Sequence, residues 1–321
     1  MKRFVIAFGV GILLAGAVAG GLPAAAAEKA TLRLNFSVNG QHAPLYAALE
    51  RGFYRAEGID LEILEGKGSG PTVQLMAAGT DTFAYAELGT MMSGVAKGLP
   101  VKAFMLAIPH FPYAVIALQE TGIKEPKDLI GKRLATNPGI AADRAFLEAN
   151  GLTGKVDLAY LGGQAKVQAA LLKKADATTG LINSQVPSME AQGTKLNVLK
   201  FSDWGVTLIG YGFFANSATL REKPDLVRRF LRATFKGYDF ARQNPDQAVD
   251  ALVKHFPAVQ RDLMARMWVL TVPLLDSGRK APFGFSDREI WEKSQEILLK
   301  YGGQERPLPV ETYYTEEYLP R

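Results

Sequence analysis

LEILEGKGSGPTVQLMAAGTDTFAYA, residues 61–86, runs from an apolar strand through a glycine-dense turn into a short helix closed by Gly79, and then into a second apolar strand. A strand, a single helix and a strand in that order imply parallel pairing within an open α/β sheet. The turn GKGSGPTV, residues 66–73, first has to be tested as a nucleotide loop. A phosphate loop needs Ser or Thr directly after its lysine, so that the hydroxyl reaches magnesium, but Lys67 is followed by Gly68. The dinucleotide fingerprint fails because Pro71 stands where a third glycine belongs, and the turn follows the second strand, not the first. A nucleophile elbow around Ser69 would need glycines at 67 and 71, which are Lys and Pro. The remaining reading is a helix start facing a ligand, with Gly70 as cap, Pro71 at the first helical position and Ser69 beside open N–H groups.

The same rhythm extends outward. TLRLNFSV (31–38) reads as a strand, His42 to Ala56 as a helix with Leu45, Ala48, Leu49 and Phe53 on one face, Leu88 to Ala96 as a helix and VKAFMLAI (101–108) as a strand. A long extended run, FPYAVIALQE (111–120), interrupts the alternation. It restarts with KRLATN (132–137), a helix from Ile140 to Ala149, VDLAYL (156–161), a helix from Ala165 to Lys174, ATTGLIN (177–183) and a short helix from Pro187 to Gln192. A second extended run, VTLIGYGFFAN (206–216), follows. Two α/β units joined by two extended segments predict two lobes on a two-stranded hinge: residues 28–117 with 212–321 as the first lobe, and 118–211 as the second.

Beyond Asn216 the pattern is helical, with Pro224 in a first turn ahead of Val227, Phe230, Leu231 and Thr234. Asn244–Pro245 opens a helix carrying Val249, Leu252, Val253 and Phe256, and Ser286 with Glu289 forms a capping box ahead of Ile290. These helices are expected to pack on the first lobe.

Lys2 and Arg3, the glycine-broken apolar run Phe4–Gly20 and the small residues around Ala25–Ala27 have the form of a secretory leader over residues 1–27, which predicts an exported, periplasmic protein. The chain has no cysteine, which removes disulfides, thiol nucleophiles, thiolate metal sites and a lipidated N-terminal cysteine. Subtracting Lys2 and Arg3 from the net charge of +5 leaves a mild excess of +3 on scattered residues, so no nucleic-acid partner is expected. Only His42, His110 and His255 are present, far apart and without a carboxylate cluster, so no metal is expected, nor any cofactor or catalytic residue. No large apolar patch argues for an oligomer, and a monomer is expected.

Ligands of open α/β sheets bind beyond the carboxyl ends of the strands. By that rule the first lobe offers Asn35, Phe36, Ser37 and His42 after its first strand, Ser69 and Gly70 at the glycine turn, and Glu87, with Tyr85 as its competitor, at AYAELGT. The second lobe offers Asn137 and Asn183, and the return segment adds Trp204 and Tyr211 as aromatic surfaces for a ring. Each also has a plain structural reading, as a cap or a core residue. No arginine fork stands at a first-lobe strand end, which favours a neutral or heteroaromatic ligand over a free carboxylate or sulfonate.

HAPLYAALERGFYRAEGIDLEI (42–63), GKGSGPTVQLMAAGTDTFAYA (66–86), KDLIGKRLA (127–135), FSDWGV (201–206) and KPDLVRRFLRATFKGYDFARQNPDQAV (223–249) together resemble the substrate-binding proteins of ABC importers in the thiamine-pyrimidine-precursor, sulfonate, nitrate and taurine group. The resemblance implies the two-lobed periplasmic-binding-protein fold, closure over one small molecule, and delivery to a membrane permease and its ATPase. Pyrimidine-binding members commonly end the first strand with an acidic residue and a tryptophan, where this chain has Asn35 and Phe36. Eukaryotic members that synthesise the pyrimidine carry a cysteine-rich motif absent here, so the resemblance implies binding without catalysis. The alternatives left open are a sulfonate, nitrate or organic-acid binder, and an exported enzyme acting on a cofactor precursor.

Overall fold

The computed structural model describes Met1, residues 26–137 and residues 141–320. Residues 2–25, which carry the expected leader, and Ile140, the expected first residue of a helix, lie outside the described residues.

The first unit runs β1 (Glu28–Arg33), α1 (Ala43–Glu50), α2 (Phe53–Ala56), β2 (Ile59–Leu64), α3 (Ser69–Ala77), β3 (Phe83–Glu87), α4 (Leu88–Ala96) and β4 (Val101–His110). The second runs β5 (Tyr113–Leu118), β6 (Arg133–Thr136), α5 (Ala141–Ala149), β7 (Asp157–Tyr160), α6 (Gln164–Leu171), β8 (Ala177–Leu181), α7 (Gln185–Glu190) and β9 (Leu196–Lys200). The chain then returns through β10 (Ile209–Asn216) to α8 (Ser217–Glu222), α9 (Pro224–Gln243), α10 (Pro245–His255), α11 (Arg261–Asp276) and α12 (Arg288–Lys300).

Two five-stranded sheets result, ordered β2-β1-β3-β10-β4 and β7-β6-β8-β5-β9. In each, three strands pair in parallel and the fourth runs against its two neighbours. The architecture is the expected α/β pair of mostly parallel sheets flanked by helices. The inserted fourth strands, β10 and β5, are the ones that enter directly after the chain changes sheet.

Several local expectations are corrected. The change of sheet falls at Phe111–Pro112, ahead of the expected boundary after 117, because β5 pairs with β8 and β9 in the second sheet. On the return, β10 already begins at Ile209 within the first sheet, ahead of the expected 212. Only two residues separate β4 from β5, so one continuous apolar run feeds both sheets and composition carries no mark of the crossing. Gly52, at φ 69°, divides the expected 42–56 helix into α1 and α2. Helix α3 begins at Ser69 with Gly68 as its cap, which places Pro71 third in the first turn and takes the capping role from Gly70. The Ser286 capping box does not form: Asp287 holds the cap position without a side-chain bond, while Glu289 pairs with Lys280 at 2.7 Å and Lys293 at 2.6 Å. Strand β9, a short lysine-flanked edge, was not expected, since two apolar alternations are a weak periodic signal.

The C-terminal helices do not confine themselves to the first sheet. Helix α9 packs on α1 and α11 lies against β4, but α11 also touches α7, and α12 touches both α4 and α5. Arg266 on α11 pairs with Glu190 on α7, and Arg144 Nη1 on α5 donates to the Tyr301 carbonyl at 3.3 Å.

Candidate functional site

The glycine turn is pinned to the end of β1. Gly68 N–H donates to the Asn35 carbonyl at 2.8 Å, Gly66 N–H to that of Phe36 at 3.2 Å, and Thr72 Oγ1 to that of Leu34 at 2.9 Å. A Cβ on Gly66 would lie 2.0 Å from the Leu34 carbonyl oxygen, so only glycine admits this approach. The turn therefore delivers the start of α3, with the unbonded N–H groups of its first residues, to the carboxyl edge of the first sheet.

A cleft of about 380 Å³ opens there between the two sheets. Its first wall holds Asn35, Phe36, Ser69, Gly70, Glu87 and Tyr211. The opposite wall holds Asn137, Gly163, Lys166, Leu181, Ser184 and Gln185. Phe111 and Tyr113, on either side of Pro112, form the base where the chain changes sheet, their rings stacked at 4.6 Å and 13°. Tyr211 meets Phe111 edge-on at 5.9 Å and stacks on Tyr85 at 5.5 Å, so an aromatic floor continues from the cleft into the first core.

Of the residues singled out from sequence, Asn35, Phe36, Ser69, Gly70, Glu87, Asn137 and Tyr211 line this cleft, and Ser37, His42, Asn183 and Trp204 do not. Ser37 is exposed, because the chain turns away after Phe36. Trp204 is half-buried in a 3-10 turn over Phe201–Trp204 and packs on the core, with its carbonyl accepting from Asn150 Nδ2 at 3.3 Å. His42 and Asn183 are fully buried behind the cleft. His42 Nδ1 accepts the Asn39 N–H at 3.2 Å, which leaves the ring proton on Nε2 to be donated to Asn35 Oδ1 at 3.0 Å. Asn183 Nδ2 donates to Thr271 Oγ1 on α11 at 2.9 Å, tying the second sheet to a C-terminal helix.

Glu87 ends β3 and caps α4, accepting from Thr90 N at 2.7 Å and from the Thr90 hydroxyl, while its own N–H donates to Ser69 Oγ at 3.2 Å. Burial outweighs these bonds and pushes its carboxyl up to about 7. Tyr85 lies two residues earlier on the same strand and points to the same face, but below the cleft, edge-on to His42 at 5.7 Å.

Sequence reasoning missed Lys166 and Tyr113. Lys166 occupies the first turn of α6, is 4% exposed, and donates from Nζ to Tyr113 Oη at 3.1 Å. Burial lowers its ammonium to about 8, against the opposing pull of Asp143, whose carboxyl burial raises to about 6. A lone lysine at a helix start carries no motif; only the fold shows that it faces a cleft. Among the described residues, no group of three His, Cys, Asp or Glu side chains is placed to hold a metal, and no helix is long and apolar enough to cross a membrane.

A family sequence model described as NMT1/THI5 like matches residues 39–248. The chain belongs to this family. Among its relatives, a riboflavin-binding protein, RibY, from Chloroflexus aurantiacus is 26% identical over 91% of this chain and 86% of its own length. A formylaminopyrimidine-binding protein from Halalkalibacterium halodurans is 26% identical over 90% of each chain. A 4-amino-5-hydroxymethyl-2-methylpyrimidine phosphate synthase from Legionella pneumophila is 27% identical over 77% of this chain and 79% of its own. In three dimensions, the periplasmic aliphatic sulphonate binding protein SsuA from Escherichia coli superposes with a TM-score of 0.69 at 14% identity, covering 89% of this chain and 91% of SsuA. The resemblance read from the sequence and the periplasmic-binding-protein fold it implied are thereby borne out, and the chain has the fold of a small-molecule binder.

Proposed function

We propose that this protein is a periplasmic solute-binding protein that captures a small heteroaromatic molecule and delivers it to a membrane permease with its ATPase. The observation that carries the reading is the cleft itself: two sheets supply facing walls, with stacked aromatics at the base and a few directed polar groups above them. A ligand touching both walls favours the closed arrangement by its differential affinity, and the two crossings, at Phe111–Pro112 and 201–208, are the hinges on which the lobes move. Asn35, Glu87, Ser69 and the α3 amides address one edge of the ring, Asn137 the other, and Phe36, Phe111 and Tyr211 its faces. The names of the riboflavin-binding and formylaminopyrimidine-binding relatives support a flat nitrogen heterocycle. A leader over residues 1–27 and a monomeric mature chain complete the proposal.

The relative named as a pyrimidine phosphate synthase favours a second reading, an enzyme on the same cleft. One experiment separates the two. The purified protein is screened by thermal shift against pyrimidines, flavins, sulfonates and aromatic acids, and the best binder is then incubated, released by denaturation and weighed by mass spectrometry. A ligand at 100 times its dissociation constant stabilises by about 2.7 kcal/mol. Recovery of one unchanged molecule per chain supports transport, and a mass change that accumulates with time overturns it.

A further inference from the structure

The hydrogen-bond directions in the second wall are fixed by their ends. Asp143, on α5, can only accept as a carboxylate, and it takes the Thr136 hydroxyl proton. Thr136 Oγ1 lies 3.0 Å from Thr179 Oγ1, which must therefore donate to it. Tyr113 Oη lies 3.0 Å from Thr179 Oγ1 and must donate in turn. That leaves the Tyr113 oxygen as an acceptor towards the cleft, where it receives Lys166 Nζ at 3.1 Å and Asn137 Nδ2 at 3.3 Å. Every proton in the chain points away from the cleft and towards Asp143. The carboxylate stands behind these hydroxyls, outside the lining of the cleft, while the ammonium borders the ligand space.

The consequence is a wall of donors. An ammonium carries three N–H bonds, and Tyr113 takes one; an amide NH₂ carries two, and Tyr113 takes one. Tyr113 has no proton left to offer and no free lone pair. Asp143 pulls on this ammonium from behind the wall, and on the cleft side the N–H bonds that Tyr113 leaves free remain for a negatively charged group of the ligand. The other wall presents Glu87 and the Asn35 side chain, with Lys67 of the glycine turn as its cation.

Resting on the heteroaromatic reading above, we propose that Lys166 is a specificity-determining residue that selects ring ligands bearing an anionic oxygen substituent, a carboxylate or a phosphate, at the end that meets the second sheet. The absence of an arginine fork at the first-sheet strand ends then has a simple meaning: the anion is read from the other wall, by a point charge.

The test measures dissociation constants by calorimetry for matched neutral and anionic pairs: uracil and orotate, pyridoxine and its 5′-phosphate, riboflavin and its 5′-phosphate. At least one anionic member is expected to bind about tenfold or more tighter than its neutral partner. Lys166→Met should abolish that preference by weakening the anionic member. Because Lys166→Met strands the Asp143 charge, the Lys166→Met/Asp143→Asn double variant is measured alongside and should behave alike. Equal binding of both members in every pair that binds overturns the inference and leaves the heteroaromatic reading standing. So does loss of the preference in Lys67→Met with its survival in Lys166→Met. If no member of any pair binds, both fail together.

Discussion

His42 Nε2 sits 3.0 Å from Asn35 Oδ1, and with Nδ1 occupied by the Asn39 N–H, the ring can only donate along that bond. Asn35 is therefore locked with its NH₂ end free to turn to the cleft that it lines. In the proposed function His42 acts on a ligand only through Asn35, as a positioning residue. Replacing it with Phe keeps the ring volume but leaves Asn35 Oδ1 and Asn39 N–H unpaired in a buried site, so His42→Phe should destabilise by about 2–4 kcal/mol at neutral pH. Burial holds the His42 imidazolium down to about 3, so the neutral ring contributes fully above its ordinary value of 6.5 and loses that contribution as pH falls from 6.5 towards 3. The penalty of His42→Phe, measured by urea unfolding, should shrink over that window. A penalty that stays constant with pH would show that the ring is not held neutral.

Glu87 has the opposite sign. Its folded carboxyl is raised to about 7 from 4.5, so the fold prefers the protonated form, and the cost of ionisation is absent below 4.5, grows from 4.5 to 7 and stays level above. Glu87→Gln keeps an oxygen for the Thr90 N–H and never ionises. Relative to wild type, the variant should gain about 3 kcal/mol between pH 4.5 and pH 8, by far the larger part of it before pH 7. Parallel denaturation curves at the two pH values check this, and equal spacing of variant and wild type at both refutes it.

The alternation of strands and helices was readable because most of the strands are short apolar runs, and because glycines such as Gly79 and Gly151 follow helices at positive φ. The crossing between sheets was legible only as a long extended run. Its exact residue depends on which neighbours β5 finds, a long-range choice that no local pattern carries. The first wall of the cleft was recovered well, since the strand-end rule finds Asn35, Phe36 and Glu87 directly. The rule fails where a polar side chain turns back into the molecule, as at Asn183, whose partner Thr271 lies far along the chain. It also cannot see a residue such as Lys166 that reaches the cleft from a helix start.

Sequence reasoning selects Trp204 as an aromatic surface for a ring and passes over Phe111. Trp204 packs on the core outside the cleft, whereas Phe111 lies on its base, stacked with Tyr113. Trp204→Ala should cost stability through a cavity but change the affinity of the best ligand by less than about twofold. Phe111→Ala should weaken it by about tenfold or more, since an aromatic stacking surface is lost. Titration calorimetry on both variants decides, and a reversed order would place the ring site elsewhere.

Gly163 and Phe36 meet across the mouth of the cleft. Gly163 caps α6 at φ 56° and ψ −130°, a conformation that L side chains rarely adopt, and a Cβ there would sit 3.2 Å from Phe36 Cζ. A methyl group would both strain the α6 start, by about 1–3 kcal/mol, and hold the Phe36 side of the mouth away from the second wall. In a protein that closes on its ligand, the strain falls on folded chains whether open or closed, while the steric push falls on the closed arrangement alone. Gly163→Ala should therefore lower ligand affinity by more than any change in the on-rate explains, with most of the loss in faster release. Stopped-flow kinetics separates the two rates, and small-angle scattering should show a smaller ligand-induced contraction than in wild type. Unchanged release with a full contraction would mean that this contact plays no part in closure.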